Sequence, residues 1–414
     1  MADRNIIVGL DVGTTKVAVC VGQINEGLIN ILALTKAVNN GLRKGVVVDI
    51  EECVSAISGA LEQAEKIAGI QLNHTVVGIG GAHIIVTNSK GVIAVSRPDG
   101  EIVASDVERV VEAARVIALP PNREILHVIP LRYIVDGQDE IKDPIGMTGL
   151  RLEVNALVIG GNTSAIKNLS KCVYQSGLQI DAITYTPLAS AKVLLNKKQR
   201  ENGVMLVDIG GGTTSIAVFE EDELIHSAIL PIGSLHITND LAIGLRISLE
   251  AAEKIKIEQG CANKEQIKES EKIDLSKYDP NEDQKIEKKM IAEIIEARLK
   301  EIFGLVKDEL KSIGKDGMLP AGLILTGGGS LLERLVPFAK EEMNLPVSLG
   351  VPLLESTGAV DKTDNPVYAA SIGLMFEGIE GIHTPVNKNF KIQLPQNVSG
   401  VIDKIKNTFK QLLP

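Results

Sequence analysis

The stretch GLDVGTTKVA, residues 9–18, sets a glycine–threonine turn between two apolar runs, and LVDIGGGTTSIAVF at 206–219 repeats it. Each copy is a β-type run that ends Asp-x-Gly and resumes after paired threonines. Glycines let backbone N–H groups turn inward and approach phosphate oxygens, which makes an anion-binding nest. Threonine hydroxyls add hydrogen bonds, and Lys16 can place a positive charge in the first copy. An aspartate at such a turn repels a bare phosphate, so its natural partner is a cation. Mg2+ takes carboxylate and phosphate oxygens and keeps several waters, which suits Asp11 and Asp208 facing a triphosphate, in contact through water. Two copies can then clamp one nucleotide from opposite sides. A single copy reads equally well as a hairpin; two copies about a domain's length apart, with a third glycine turn, do not.

That third turn is LILTGGGSLL, residues 323–332, where Gly327, Gly328 and Gly329 follow a buried-strand pattern and let backbone pass flat against a nucleoside. Neither G-x-x-x-x-G-K-[ST] nor G-x-G-x-x-G describes it, which argues against a P-loop and a Rossmann site. In LEAAEKIKIEQG (249–260), Glu253 and Lys256 share one helix face. That pair reads either as a contact to ribose and adenine or as a surface ion pair.

Around these turns the chain has the composition of a soluble globular protein. Its 414 residues exceed one ordinary core and imply two or three domains. Hydrophobic residues make up 44% and aromatics only 3%, so Ile, Leu, Val and Ala must fill the cores. A formal charge of −10 argues against a general nucleic-acid binder, which needs clustered Lys and Arg. Cys20, Cys53, Cys172 and Cys261 are scattered without metal or disulfide spacing and read as reduced thiols. No signal-peptide core is evident, and no charge-free apolar run reaches the ~20 residues that cross a bilayer. The expectation is a chain in a reducing cytosol.

The order of elements is duplicated. NIIVGLDV, KVAVCVGQI and LINILALT predict strands before a helix over 51–68, whose Val54, Ile57, Leu61, Ala64 and Ile67 recur at helical spacing. GVMLVDIGGGTTSIAVFEEDELIHSAILPIG predicts three more strands in the same order. The fold class is therefore α/β and duplicated, with an α+β insert in the first half and a helical insert in the second. In the first insert, Ser105 and Glu108 predict a capping-box start for the helix in ASDVERVVEAARVIA. The second, about 246–320, reads as almost entirely helical, with KESEKIDLSKYDPNEDQK as its loop.

The end of the chain differs in character. Residues 380–399 read as a linker, and VIDKIKNTFKQLLP places Val401, Ile402, Ile405, Phe409, Leu412 and Leu413 on one helix face. Lys404, Lys406 and Lys410 fall largely on the other, a composition suited to an anionic membrane surface. The pattern alone fits a terminal helix docked on protein as well as one lying on lipid.

The two phosphate-type turns, the TGGG turn and NPVYAASIGLM (365–375) together resemble the actin/Hsp70/sugar-kinase ATPase superfamily. LHVIPLRYIVDG (126–137), KDPIGMTGLRLEV (142–154) and AEKIKIEQGCA (252–262) narrow the resemblance to the FtsA family of bacterial cell-division proteins, over most of residues 5–375. The resemblance implies an actin-like fold with ATP and Mg2+ in a central cleft. Its first core (1A) would span 1–81 and 162–200, its insert subdomain (1C) 82–161, its second core (2A) 201–245 and 321–379, and its helical subdomain (2B) 246–320. A linker over 380–399 and a membrane-targeting helix over 400–414 would follow.

Residue by residue, Asp11, Gly13, Thr14, Thr15 and Lys16 match the first phosphate loop. Asp208, Gly210, Gly211, Gly212, Thr213 and Thr214 match the second, Glu253 and Lys256 the nucleoside helix, and Gly327 to Gly329 the adenosine turn. The implied partners are other copies of the chain in a polymer, the C-terminal tail of FtsZ and the cytoplasmic membrane face at the division site. Arg298, in IIEARLKEIF, falls in the stretch of the FtsZ contact, and reads equally as a solvated helix charge. One departure stands out: TYTPLASAKVLL (184–195) lacks the acid or amide that commonly orients the attacking water in this superfamily. The resemblance therefore implies ATP as a structural and assembly ligand, with weak hydrolysis at most and no assigned catalytic residue. A pilus-assembly ATPase of the same lineage and, more remotely, a sugar kinase are the alternatives.

Overall fold

Three strands lead the chain, β1 (Ile6–Val12), β2 (Lys16–Asn25) and β3 (Leu28–Val38), paired antiparallel in sequence order. β-Branched residues dominate them, and their inward positions Val8, Leu10, Val17, Val19 and Val21 are buried. The computed structural model describes residues 6–25, 28–116, 120–279, 284–353 and 363–383. After β3 a small hairpin, β4 (Leu42–Arg43) and β5 (Val46–Val47), leads into α1 (Ile50–Ala68). Asp49 caps that helix by accepting from the Glu52 N–H at 3.1 Å, and Gly69 ends it in the left-handed region at φ 70°. The buried stripe of α1 is Cys53, Ala56, Ile57, Ala60, Leu61 and Ala64, while Ile67 is 60% exposed. Of the expected face, Ile57, Leu61 and Ala64 are buried and Val54 packs at the edge of the core, while only Ile67 turns outward.

β6 (His74–Ile79) joins β1 in parallel. The first insert then begins with β7 (Ile85–Ala94), α2 (Ala104–Arg115), β8 (Arg123–Val135), β9 (Gln138–Ile141) and β10 (Arg151–Asn162). Its sheet has the order β7-β10-β8-β9, and its own apolar core joins Ile102, Val110 and Ala114 to Leu152, Val154 and Tyr133. The helix does not start on a Ser105–Glu108 box. Those two are exposed, and the buried Asp106 instead accepts from the Val103 N–H at 3.1 Å. Val103 has no side-chain acceptor to offer, so only the reach-back half of the box exists.

The chain returns through α3 (Thr163–Gln175), β11 (Gln179–Tyr185) and α4 (Thr186–Leu194), completing a sheet of order β11-β6-β1-β2-β3. After α5 (Lys197–Asn202) the plan repeats. β12 (Val204–Ile209), β13 (Thr214–Glu220) and β14 (Glu223–Leu230) are antiparallel, and β17 (Leu323–Thr326) and β18 (Val347–Leu349) add in parallel. The order β14-β13-β12-β17-β18 is the first sheet's order again, with β12 in the place of β1. Between them run α6 (Ser234–Leu245), α7 (Leu249–Gln259) and the long α8 (Lys288–Ser312). The part of this insert expected to be loop holds β15 (Lys272–Asp274), which pairs as a ribbon with β16 (Lys285–Glu287) at the loop's end.

α9 (Leu335–Met343) and α10 (Ala369–His383) complete the elements. α10 runs into the stretch expected as linker, so the linker cannot begin at 380. The rest of that stretch and the whole expected membrane helix lie outside the described residues. α10 touches both parts of the first core through glycines. A Cβ on Gly9 of β1 would lie 2.1 Å from the Ser371 carbonyl oxygen, and one on Gly373 would lie 2.0 Å from that of Ala189 in α4. Both approaches are backbone to backbone, so no side chain can move aside. Gly9→Ala is therefore expected to destabilise the protein by about 1–3 kcal/mol through overpacking, read as a lower urea midpoint at unchanged slope.

Candidate functional site

The penultimate residues of β1 and β12 are Asp11 and Asp208, so the duplicated strands deliver both carboxylates to equivalent turns. One hydrogen bond closes each turn in the same way: Gly13 N–H to the Lys16 carbonyl at 2.8 Å, and Gly210 N–H to the Thr213 carbonyl at 2.9 Å. The two turns meet across a cleft of about 540 Å³. Its lining includes Asp11, Gly13, Thr14, Thr15 and Lys16 from one side and Asp208, Gly210, Gly211 and Thr213 from the other. Glu253, Lys256 and Gly327 to Gly329 close the remaining wall.

Two of the expected residues do not line the cleft. Thr214 is fully buried and donates its hydroxyl to the Ile232 carbonyl at 2.9 Å, because it opens β13 with its side chain toward the core. Gly212 touches the opposing turn instead, where a Cβ would come within 2.8 Å of Thr14 Oγ1. A Cβ on Gly211 would similarly meet Thr15 Cγ2 at 2.5 Å. Glycine is needed at both positions because the turns press on each other.

The electrostatics show why a cation suits this cleft. Lys16 pairs with Asp11 at 3.1 Å. Asp208 has its pKa pushed up to about 6 by burial and by the charge of Asp11, with Lys16 opposing. Among the described residues no group of three or more His, Cys, Asp or Glu is placed to hold a metal by itself. Two carboxylates with no further protein ligands fit Mg2+, which keeps waters and takes the rest of its shell from phosphate. Asp11 and Asp208 are the residues that would hold it.

Lys256 and Glu253 are not a solvated surface pair. Lys256 is 8% exposed and donates to Glu253 Oε2 at 2.7 Å and to Thr238 Oγ1 at 2.9 Å. Burial lowers the Lys256 pKa, and Glu253 opposes that shift. At the third turn, Gly327 has φ 81° and leaves no room for a Cβ, which would fall 2.1 Å from Asp208 Oδ1. Gly329 is held as tightly by Ile209, while a Cβ on Gly328 would meet nothing. Ile237, Ile257, Leu331 and Leu332 add an apolar wall suited to a flat base.

Lys36, Thr186, Ser215 and Ser234 also line the cleft, and sequence reasoning did not single them out. For Thr186 a signal existed, since Thr-Pro opens α4 there. Arg298 lies outside the cleft lining. Its guanidinium forks onto Asp240 of α6 at 2.6 and 2.8 Å and also binds Glu301, so the charge is already engaged.

Comparison with known proteins agrees with this geometry. A family model described as cell division protein FtsA matches residues 205–373, and one described as the SHS2 domain inserted in FtsA matches 81–160. Cell division protein FtsA of Pseudomonas aeruginosa is 39% identical over 376 residues, covering 91% of this chain and 89% of that one. The protein of the same name from Neisseria meningitidis is 37% identical over 401 residues, covering 96% of each. Among solved structures, the PilM–PilN type IV pilus biogenesis complex has a chain superposing with TM-score 0.68 at 17% identity, covering 90% of this chain and 98% of that one. MreB5 of Spiroplasma citri bound to ADP superposes with TM-score 0.54 at 14% identity, covering 92% and 98%. The fold is thus the actin-like ATPase fold.

The raised pKa of Asp208 gives a stability signature. Its ordinary value is 3.8, so up to about 6 the folded state binds more protons than the unfolded state. Stability therefore falls as pH rises through that window, and the loss is complete above it. In the ligand-free protein, Asp208→Asn is expected to raise the melting temperature at about pH 7.5, by a margin that shrinks toward about pH 5. Calorimetric melts at the two pH values check this; an equal margin at both would contradict it.

Proposed function

Because this chain belongs to the FtsA family of cell-division proteins, we propose that it is an ATP-binding scaffold that tethers FtsZ polymers to the cytoplasmic membrane. ATP with Mg2+ occupies the cleft, held by the Asp11–Lys16 turn, the Asp208–Thr213 turn, Glu253, Lys256 and Gly327 to Gly329. The observation that carries the reading is the pair of equivalent turns, each with its aspartate, facing one cleft. Ligand that binds only the closed state favours that state by mass action, and the closed state assembles with further copies through 1C. The helical subdomain 2B holds the FtsZ tail.

Residues 401–414 supply the membrane contact, with Val401, Ile402, Ile405, Phe409, Leu412 and Leu413 entering the acyl boundary. Lys404, Lys406 and Lys410 meet anionic headgroups, at about 1 kcal/mol each. One such helix binds weakly, and a polymer binds strongly because the contacts add up. The absence of an acid or amide over 184–195 supports ATP as an assembly ligand before it is a substrate. It also disfavours a sugar kinase, which needs a base for its acceptor hydroxyl.

With ATP and Mg2+ present, the full chain is expected to sediment with anionic liposomes, and a chain lacking residues 401–414 to stay in solution. Equal sedimentation of both would remove the tether. The Arg298 contact needs a sharper test, because Arg298→Glu also sets two carboxylates against each other at Asp240. The charge swap Arg298→Glu with Asp240→Arg keeps the ion pair and moves the cation. If Arg298 holds the FtsZ tail, a synthetic tail peptide loses affinity for the swapped protein; if it only clamps α8 to α6, the swap binds like the parent.

A further inference from the structure

The first phosphate-type turn is held from beneath by a residue outside it. Asn39, 1% exposed, donates its carboxamide N–H to the Gly13 carbonyl at 2.7 Å. Its side-chain oxygen accepts the Gly41 N–H at 3.0 Å, and its own N–H reaches the Thr15 carbonyl at 3.1 Å. The segment beyond it is fixed as well. Gly41 leaves no space above α1, where a Cβ would fall 2.6 Å from the Cys53 nitrogen. Gly45 N–H donates to Thr14 Oγ1 at 3.1 Å, so residues 39–45 grip the turn at three points, Gly13, Thr14 and Thr15.

The second half shows what this contact replaces. Gly210 is the counterpart of Gly13, the first glycine after Asp-x in its turn. Its carbonyl accepts the backbone N–H of Ser234 at 2.8 Å, at the start of α6. The next carbonyl, Gly211, accepts from Leu235 at 2.8 Å. In the second half, helix backbone therefore sets the turn. In the first half no helix follows β3 directly, and a carboxamide does that work.

We propose that Asn39 is a positioning residue of the first phosphate turn, fixing the Gly13 carbonyl and with it the N–H groups of the residues that follow. It touches no ligand, and its removal loosens the grip on phosphate while leaving the nucleoside wall at Glu253, Lys256 and Gly327 to Gly329 intact. This rests on the reading of the cleft as an ATP site.

The test is equilibrium dialysis of the full chain with ATP plus Mg2+ and, separately, with adenosine. Asn39→Ala removes both side-chain bonds. Asn39→Asp, of the same shape, keeps the acceptor for Gly41 but faces the Gly13 carbonyl with an oxygen that cannot donate when ionised. Both are expected to weaken ATP about tenfold, the scale of one buried hydrogen bond lost, with adenosine changed less than about twofold. ATP affinity unchanged in Asn39→Asp overturns the proposal. So does an equal loss of ATP and adenosine, which marks a general structural role. Should Asn39→Ala fail to fold, Asn39→Asp carries the test alone, and failure of both to fold overturns the positioning role. An unaltered chain that binds adenosine but not ATP, or neither, overturns the ATP reading itself.

Discussion

Asp11 and Asp208 share one cleft, and the charge that Asp11 sets beside Asp208 is the constraint around which the site is organised. Lys16 lies 3.1 Å from Asp11 and so serves one of the pair directly. Asp208 is left to burial and to its neighbour's charge, which is why its pKa rises to about 6. Water cannot relieve this fully, because the wall behind Asp208 is the backbone of Gly327. A site that repels its own charge in the free state gains most from a cation brought in by a polyanion. The carboxylates, the backbone of Gly327 and Lys16 at the head of β2 are thus one arrangement.

The duplication is faithful in the strands and broken in what supports each turn. Both turns close by the same Gly-to-i+3 hydrogen bond. Gly210 and Gly211, however, rest on the first residues of α6, in the helical half of the molecule. Gly13 and Thr14 rest on Asn39 and Gly45, and the neighbouring Lys44 carbonyl accepts the Ala82 N–H at 2.9 Å, where the first insert begins. The first turn is therefore joined through hydrogen bonds to the root of its insert, and the second to α6, the helix that leads into the other insert.

Much of this was legible in the sequence, for identifiable reasons. Asp-x-Gly before paired threonines declares itself because close backbone approach demands glycine, and GLY-rich spacing survives without knowledge of contacts. The burial of Lys256 was not legible: helical spacing puts Glu253 and Lys256 on one face without saying which way that face points. Asn39 left no signal either, since its partner is a carbonyl 26 residues earlier and Asn after a strand reads as loop. The Ser105–Glu108 expectation failed because the buried Asp106 caps the helix from Val103, two residues before Ser105. The helical second insert conceals the β15–β16 ribbon because three-residue strands are too short to show a period.

The joint between the first insert and the second half carries a cluster of ion pairs beside its apolar contacts. Arg132 of β8 binds Glu140 at 3.0 Å, Glu221 at 2.7 Å and Glu223, and Lys142 binds Glu221 at 3.1 Å. Glu140, Glu221 and Lys142 are more than half exposed, so their pairs are screened by salt and individually worth at most about 1 kcal/mol, whereas Arg132 and Glu223 are largely buried. One buried link accompanies them. His127 of β8, held neutral by burial with a pKa near 4, accepts the Tyr185 N–H at 3.0 Å, and the Tyr185 hydroxyl shares a hydrogen bond with Ser227 of β14 at 2.9 Å. Besides its own core around Ile102, Val110 and Leu152, the insert sends Ile159, Val86, Leu126 and Ile129 onto the apolar cluster of the first core, which Ile229 of β14 also meets. Apolar contacts are lost outright when surfaces part, whereas exposed charges exchange their partners for water at little cost. The outer pairs of this joint, on Glu140, Glu221 and Lys142, are therefore its weakest contacts, beside the buried His127–Tyr185–Ser227 link and the Arg132–Glu223 pair.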